Sequence, residues 1–152
     1  MRFWRICRRR YGAEAAAGEG ARLYGGRWNS WGVRVVYAST SLALAAMETF
    51  VNLEPNLRPA DLVSIEGEIP ELLEVDRLSA NVLPEGWQET RDESLRRFGD
   101  DWIRTERTAA LLVPSAAIRG EWNMLLNPTH AGFQKIRFLN LEPFEFDLRM
   151  FR

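Results

Sequence analysis

The sequence reads Val33-Arg34-Val35-Val36-Tyr37-Ala38-Ser39 and then, after Thr40, Ser41-Leu42-Ala43-Leu44-Ala45-Ala46-Met47-Glu48-Thr49-Phe50-Val51-Asn52-Leu53. β-Branched and aromatic residues fit a pleated surface, so residues 33–39 predict a strand. Thr40 or Ser41 can cap a helix that continues to about Leu53, ahead of Pro55. The rest of the fold is built outward from this strand-to-helix step.

The predicted helix is apolar on nearly all sides. One face carries Leu42, Ala45, Ala46, Thr49 and Leu53, and the other carries Leu44, Met47 and Val51. A helix of this kind is normally buried. A carboxylate there is costly unless it is hydrogen-bonded, paired with a cation or required by a ligand. Glu48 therefore needs a partner.

Arg27 is the candidate partner, because it lies in the segment Gly25-Gly26-Arg27-Trp28-Asn29. Glycines permit backbone shapes and close ligand approach that a Cβ atom would forbid, which favours a binding loop. An ordinary turn, with Trp28 in the core and Glu48 paired to some arginine for structural reasons, fits the same residues equally well. Residue types alone leave both interpretations open.

Hydropathy patterns predict the remaining elements. Strands are expected at 3–8, 62–69, 109–113, 133–139 and 144–150, a loop or short helix at 12–26, and an exposed amphipathic helix at 93–107 with Gly99 as a candidate break. Strands interrupted by a few helices predict one α+β domain over residues 1–152, with mainly antiparallel strands. A parallel, doubly wound sheet is not expected.

Composition narrows the function. Twenty basic and twenty-one acidic residues give a net charge of −1, which provides no global field for a nucleic-acid backbone, so direct DNA binding is not expected. Arginines at positions 2, 5 and 8–10 interrupt any leader, and the longest later apolar run, Leu42 to Met47, is too short for a bilayer. We therefore expect a cytoplasmic protein without membrane contact.

Several familiar sites are missing. Gly18-Glu19-Gly20 is followed by Leu23, so the dinucleotide fingerprint of Rossmann domains is incomplete, and there is no phosphate loop of the Walker type. Ser115 lacks the nucleophile elbow of hydrolases. One cysteine, Cys7, and one histidine, His130, cannot form an ordinary structural zinc site, so no metal is expected.

Several ordered blocks carry a resemblance that spans almost the whole chain. They are Gly-Glu-Gly-Ala-Arg-Leu-Tyr-Gly-Gly-Arg-Trp-Asn (18–29), Val-Val-Tyr-Ala-Ser (35–39), Ala-Leu-Ala-Ala-Met-Glu (43–48), Leu-Leu-Val-Pro-Ser (111–115) and Asn-Met-Leu-Leu-Asn-Pro-Thr-His (123–130). Together they resemble the RES-domain family of bacterial toxins. The arginine, glutamate and serine for which that family is named map onto Arg27, Glu48 and Ser115, and its strand tyrosine maps onto Tyr37.

The resemblance implies an ADP-ribosyltransferase-like fold, NAD⁺ as substrate with no prosthetic group, and an Xre-type helix-turn-helix antitoxin that masks the active site. Dimerisation in that complex is left open. It also implies a catalytic set of Glu48, Arg27 and Tyr37. The sequence departs from the family at Asn52, where related sequences often carry histidine.

Roles follow from the chemistry of NAD⁺ cleavage, which leaves positive charge on the ribose. Glu48 would stabilise that charge, Arg27 would hold the diphosphate or a ribose oxygen, and Tyr37 would stack on nicotinamide or orient it. Predicted substrate-binding residues are Arg5, Gly26, Asn29, Ser115 and Asn127, of which Arg5 would be a second cation for the phosphates. Ser115 could bond Glu48 or the ribose, or form a turn after Pro114. His130 lies in an expected turn and is assigned no essential role.

Other functions remain open at this point. ADP-ribose could pass to water or phosphate, or to a protein side chain. A non-enzymatic module that binds RNA or protein is suggested by Arg8-Arg9-Arg10 and six tryptophans. The near-neutral charge weakens that alternative, and the aromatic residues more simply fill a core.

Overall fold

A single seven-stranded sheet organises the computed structural model, which describes residues 1–152. The strands are β1 (Arg2–Arg8), β2 (Val36–Ser39), β3 (Leu62–Glu68), β4 (Val75–Arg77), β5 (Ala110–Pro114), β6 (Trp122–Leu126) and β7 (Arg137–Phe144), in the order β4-β5-β6-β2-β1-β3-β7. All neighbours are antiparallel except β4 and β5. The predicted α+β class with a mainly antiparallel sheet is confirmed.

Three α-helices and five short 3₁₀ helices accompany the sheet. The α-helices are α1 (Glu19–Tyr24), α2 (Leu42–Val51) and α3 (Glu93–Thr105), and the 3₁₀ helices are Arg9–Glu14, Ala80–Val82, Trp87–Glu89, Phe133–Lys135 and Leu148–Phe151. None of these helices is long and apolar enough to cross a membrane.

The middle of the sheet is covered on both faces, which explains its uninterrupted apolar runs. Alternate residues of β5 and β6 enter two different cores. One core contains Phe3, Val36, Leu112 and Met124, and the other contains Trp28, Trp102, Leu111 and Leu125 beneath α3. Strands buried on both faces lose the polar alternation of a half-exposed strand.

Strand pairing in the sheet is minimal between β1 and β2. These strands share one paired position, Trp4 with Ser39, whereas β1 pairs with β3 along its whole length, from Arg2 to Arg8. Where the backbones diverge, the Arg5 Nη1 atom donates a hydrogen bond of 2.8 Å to the carbonyl oxygen of Tyr37. The divergence opens a space that is lined by side chains of both strands.

The strand-to-helix step is present, with shorter elements than predicted. The strand is restricted to Val36–Ser39, and α2 begins after Ser41, whose Oγ accepts a hydrogen bond of 3.1 Å from the Leu44 amide. The expectation of a buried helix is wrong. Only Leu44 and Ala45 are buried and Val51 is 55% exposed, because α2 packs on β1 and β2 through one side only.

Helix α3 is continuous, so the predicted break at Gly99 is wrong. A Cβ atom at position 99 would lie 1.8 Å from the carbonyl oxygen of Trp28, which shows that the glycine serves close packing of the helix. The strand predicted at 144–150 is also wrong, because β7 ends at Phe144 and Phe146 turns back to pack against Phe50. Residues 133–139 begin with a 3₁₀ turn and enter β7 only at Arg137.

Candidate functional site

A cavity of about 860 Å³ lies where β1 and β2 diverge. Its walls are β1, the loop after α1 with Gly25, Gly26 and Arg27, the end of α2, and the segment before α3 that contains Gln88 and Arg91. The volume is within the range of small-molecule sites, which is about 300–1,000 Å³. The strand-to-helix step supplies its central residues, Tyr37 and Glu48.

Glu48 is held by two neutral donors. Its Oε1 atom accepts hydrogen bonds from the Ser115 hydroxyl at 2.6 Å and from the Asn123 Nδ2 atom at 2.5 Å. No ion pair joins it to Arg27 or to any other cation, so the expectation of an arginine partner is wrong. Hydrogen bonds from neutral groups stabilise an ionised carboxylate without cancelling its charge. The site therefore keeps an anion facing the cavity.

Both donors are themselves oriented by neighbouring groups. The Asn123 Oδ1 atom accepts from the buried Ser39 hydroxyl at 2.7 Å, which directs the amide nitrogen towards Glu48. The Ser115 hydroxyl oxygen accepts from the backbone amides of Ala117 at 3.1 Å and Ile118 at 3.0 Å, which leaves its proton for Glu48. Ser115 is thus both a turn-forming residue and a partner of Glu48.

Arg27 lies on the cavity wall, and its hydrogen bonds go to backbone carbonyls. Its Nη1 atom donates to the carbonyl oxygens of Trp87, at 3.0 Å, and Thr90. Burial lowers the pKa of Arg27, and the nearby positive charge of Arg91 lowers it further, whereas Glu48 acts in the opposite direction. The guanidinium has no carboxylate partner, so donors remain for a ligand.

Tyr37 holds the glycine-rich loop in place. Its hydroxyl donates to Asn29 Oδ1 at 2.6 Å and accepts from the Trp28 amide at 3.1 Å. A Cβ atom at position 26 would lie 2.6 Å from this hydroxyl, so Gly26 is required by the tyrosine. Burial raises the pKa of Tyr37, and the hydroxyl stays protonated near neutral pH.

Arg5 is a second cation in the cavity. Its Nη1 atom is bonded to the Tyr37 carbonyl, while its buried Nε atom has no hydrogen-bond partner. Burial lowers the pKa of Arg5. Buried donors are rarely left unpaired in proteins, which makes this nitrogen a feature that a ligand would explain.

Four polar residues singled out from the sequence do not line the cavity: Asn29, Asn127, His130 and Ser115, of which Ser115 contacts Glu48. Asn29 is fully buried, and its Nδ2 atom donates to the carbonyl oxygens of Ala21 in α1 and of Ser30 and Val33 in the following loop, at 2.9–3.1 Å. Asn127 is also fully buried, and its Oδ1 atom accepts from the amide and the hydroxyl of Thr129. His130 accepts from the Gly132 amide at 2.8 Å in the expected turn. The geometry gives Asn29 and Asn127 loop-forming roles; neither lines the cavity, and the buried Nδ2 atom of Asn127 has no hydrogen-bond partner.

The sequence reasoning missed Asn123, Ser39, Gln88 and Arg91. Asn123 opens one of the blocks in the family resemblance, and β6 was not predicted as a strand. In the β5–β6 hairpin Asn123 pairs with Val113, two residues before Ser115. A prediction of that hairpin would have placed both donors to Glu48 together. No group of His, Cys, Asp or Glu side chains in the structure could hold a metal ion.

Comparison with known proteins identifies relatives over nearly the whole chain. The RES domain model matches residues 2–148. The chain is 39% identical to the Prs ADP-ribosylating toxin of Sphingobium sp. (strain YBL2), covering 99% of this chain and 96% of that protein. It is 35% identical to Toxin Res of Yersinia enterocolitica, covering 99% of both.

The fold is also similar to a solved structure. A chain in the crystal structure of the M. tuberculosis MbcT–MbcA toxin–antitoxin complex superimposes with a TM-score of 0.73 at 17% identity. The match covers 95% of this chain and 84% of that chain. At this level of identity the likeness concerns the fold.

Proposed function

This chain belongs to the RES-domain family, and on that premise we propose that it is the toxin of a toxin–antitoxin system and cleaves NAD⁺ at the nicotinamide–ribose bond. ADP-ribose then passes to water or phosphate. The observation that carries this proposal is the Glu48 carboxylate, which has no cationic partner and is held by Ser115 and Asn123. The same cavity contains arginines that have no carboxylate partner.

The chemistry of bond cleavage is favoured by such a carboxylate. When the bond between the ribose carbon and nicotinamide breaks, its electron pair goes to the nicotinamide nitrogen, which becomes neutral. Positive charge is left on the ribose at the carbon that held nicotinamide. An oxygen of water then bonds to that carbon and loses a proton, or an anionic oxygen of phosphate bonds to it and its negative charge cancels the positive charge. A fixed anion stabilises the charged sugar more than the ground state, which lowers the barrier. We assign this role to Glu48.

The arginines provide the complementary function of binding. The diphosphate of NAD⁺ carries two negative charges, and guanidinium groups bind phosphate oxygens through planar pairs of donors. Arg27 and Arg5 both line the cavity without a carboxylate partner. We propose that they hold the diphosphate and a ribose oxygen, while the ring of Tyr37 packs against nicotinamide.

The test is product analysis with purified, antitoxin-free protein. Nicotinamide should be released from NAD⁺, and chromatography with and without inorganic phosphate should show whether ADP-ribose or a phosphorylated ADP-ribose accumulates. Expression in cells should lower NAD⁺ in the cytoplasm, where we place the activity. Folded protein that releases no nicotinamide and leaves cellular NAD⁺ unchanged would refute the proposal.

A protein side chain is a second candidate acceptor. It is favoured by the relative at 39% identity, which is named an ADP-ribosylating toxin. Incubation of cell lysate with NAD⁺ labelled in the adenylate part would transfer label to protein under this alternative. With water or phosphate as acceptor, the label stays in small molecules.

A toxin that consumes NAD⁺ needs restraint in its own cell. We propose an antitoxin of the Xre helix-turn-helix type that covers the cavity. Support comes from the similar fold of a chain in a toxin–antitoxin complex. The purified complex should release nicotinamide at well under a tenth of the rate of the free toxin, and unchanged turnover would contradict masking.

A further inference from the structure

Arg91 is a third arginine on the cavity wall without a carboxylate partner, beside Arg5 and Arg27. Nine other arginines form ion pairs with aspartate or glutamate: Arg2, Arg8, Arg22, Arg34, Arg97, Arg104, Arg107, Arg137 and Arg149. Only Arg8 in this set also lines the cavity, where it is paired with Asp61. The cations that remain unpaired in the cavity are therefore available to an anionic ligand.

Two of these cations are close enough to interact unfavourably. The positive charge of Arg91 is a cause of the lowered pKa of Arg27, second to burial. Like charges on one wall repel each other, and an anion bound between them would attract both and offset that repulsion. Two neighbouring cations match a ligand with two adjacent negative charges better than a ligand with one.

Asn52 fixes the position of Arg91. The Arg91 Nη2 atom donates to Asn52 Oδ1 at 2.5 Å, and Asn52 Nδ2 donates to the Glu48 carbonyl oxygen at 2.7 Å. Asn52 is the C-terminal cap of α2, and both side chains lie at the exposed rim of the cavity. One guanidinium nitrogen is thus occupied by the helix that carries Glu48, and the others are free to bind a ligand.

We propose that Arg91, positioned by Asn52, binds the diphosphate of the dinucleotide together with Arg27. This inference rests on the proposed function for the identity of the ligand. Arg91 acts in substrate binding, and Asn52 is a positioning residue that acts through it.

Binding of ADP tests the proposal independently of NAD⁺ cleavage, since ADP has the diphosphate and lacks the scissile bond. Titrations by calorimetry would compare ADP with adenosine. Arg91→Gln should weaken ADP binding about tenfold or more, the usual effect of losing a hydrogen bond to a charged group, and leave adenosine binding unchanged. Asn52→Ala should weaken ADP binding by a smaller factor.

Two further variants separate charge from structure. Arg104→Gln removes a positive charge from α3 at a residue that pairs with Asp101 and does not line the cavity, so ADP binding should stay within about twofold. Arg91→Lys keeps the charge and should recover part of the ADP affinity. Equal weakening of ADP and adenosine by Arg91→Gln, or unchanged ADP affinity, would overturn the proposal.

Kinetics give a second measurement. Arg91→Gln should raise KM for NAD⁺ about tenfold with kcat within about twofold, and leave kcat/KM for nicotinamide riboside, which has no phosphate, unchanged. A loss of kcat on both substrates would assign Arg91 a structural role. If ADP binds as expected while wild-type protein releases no nicotinamide, the proposed function fails and the assignment of Arg91 to a diphosphate stands.

Discussion

Replacement of Glu48 by glutamine tests the catalytic carboxylate with little change in shape. The Oε1 atom of Glu48 accepts hydrogen bonds from Ser115 and Asn123, and a glutamine carbonyl oxygen can accept both. The variant therefore removes the negative charge and keeps the network that holds the side chain. We expect a large loss of kcat, a nearly unchanged free energy of unfolding and no loss of ADP affinity.

The magnitude follows from the charge that develops on the ribose. At roughly 4 Å and an effective dielectric constant of about 20, two opposite unit charges attract each other by about 4 kcal/mol. Bound NAD⁺ already carries a positive charge on nicotinamide, so this energy is the upper limit of the gain, and it corresponds to a factor of up to about 10³ in rate. The free energy of unfolding should change by less than about 1 kcal/mol, because both hydrogen bonds remain. ADP is an anion, so the loss of a negative charge from the cavity cannot weaken its binding electrostatically.

The assay is release of nicotinamide from saturating NAD⁺, followed by chromatography over a day so that a rate about 10³ times slower is measurable. Urea unfolding and ADP titration of the same preparations provide the folding and binding controls. Growth of cells that express either protein adds a further comparison. A non-enzymatic RNA- or protein-binding module would keep its effect on growth in Glu48→Gln.

Two results would refute this reasoning. If Glu48→Gln keeps more than about a tenth of the wild-type kcat, the charge of Glu48 does not stabilise the transition state. If the variant unfolds at much lower urea or no longer binds ADP, Glu48 is a structural residue, and loss of turnover says nothing about its chemistry.

Three further substitutions probe the surroundings of Glu48. Asn123→Ala removes a donor to the carboxylate and should lower kcat about 10- to 100-fold with little change in KM in the nicotinamide assay, whereas a change in KM alone would contradict that role. Gly26→Ala places a Cβ atom 2.6 Å from the Tyr37 hydroxyl and should destabilise the protein to urea by about 1–3 kcal/mol, whereas Gly20→Ala, with nothing within 4 Å, should not. Burial raises the pKa of Tyr37, so the stability that its protonated hydroxyl contributes is intact below pH about 10 and is lost as pH rises further. The unfolding free energy of Tyr37→Phe should therefore decline less between pH about 9 and about 11 than that of the wild type. Identical declines in the two proteins would disprove this.

Local sequence signals predicted the elements that build the cavity. The change from β-branched residues to a capped apolar helix placed Tyr37 and Glu48 correctly on β2 and α2, because caps and propensities act over a few residues. The same reasoning overestimated burial of α2. Apolar composition cannot show that a helix end borders a cavity, where Val51 remains exposed beside Glu48.

Long-range pairing accounts for the errors and omissions at the site. Arg27 was expected to pair with Glu48 because it lies in a glycine-rich segment suited to a binding loop, yet its Nη1 atom donates to carbonyl groups some sixty residues away, at Trp87 and Thr90. Asn123 lies 75 positions from Glu48 and reaches it through the hairpin of β5 and β6. Nothing in the local pattern around Asn123 specifies that register.

Ser115 and Asn123, the neutral partners of Glu48 in the structure, also suit the proposed chemistry better than an arginine would. An arginine in contact with Glu48 would neutralise the carboxylate and leave little net field at the ribose. Ser115 and Asn123 satisfy the same oxygen with neutral dipoles, and the arginines remain separate, with Arg27 anchored on carbonyl groups and Arg91 on Asn52. Under the proposed function, separation of the anion from the cations allows one cavity to bind a diphosphate and to stabilise a positively charged sugar. A buried salt bridge between Glu48 and Arg27 would have removed both capacities.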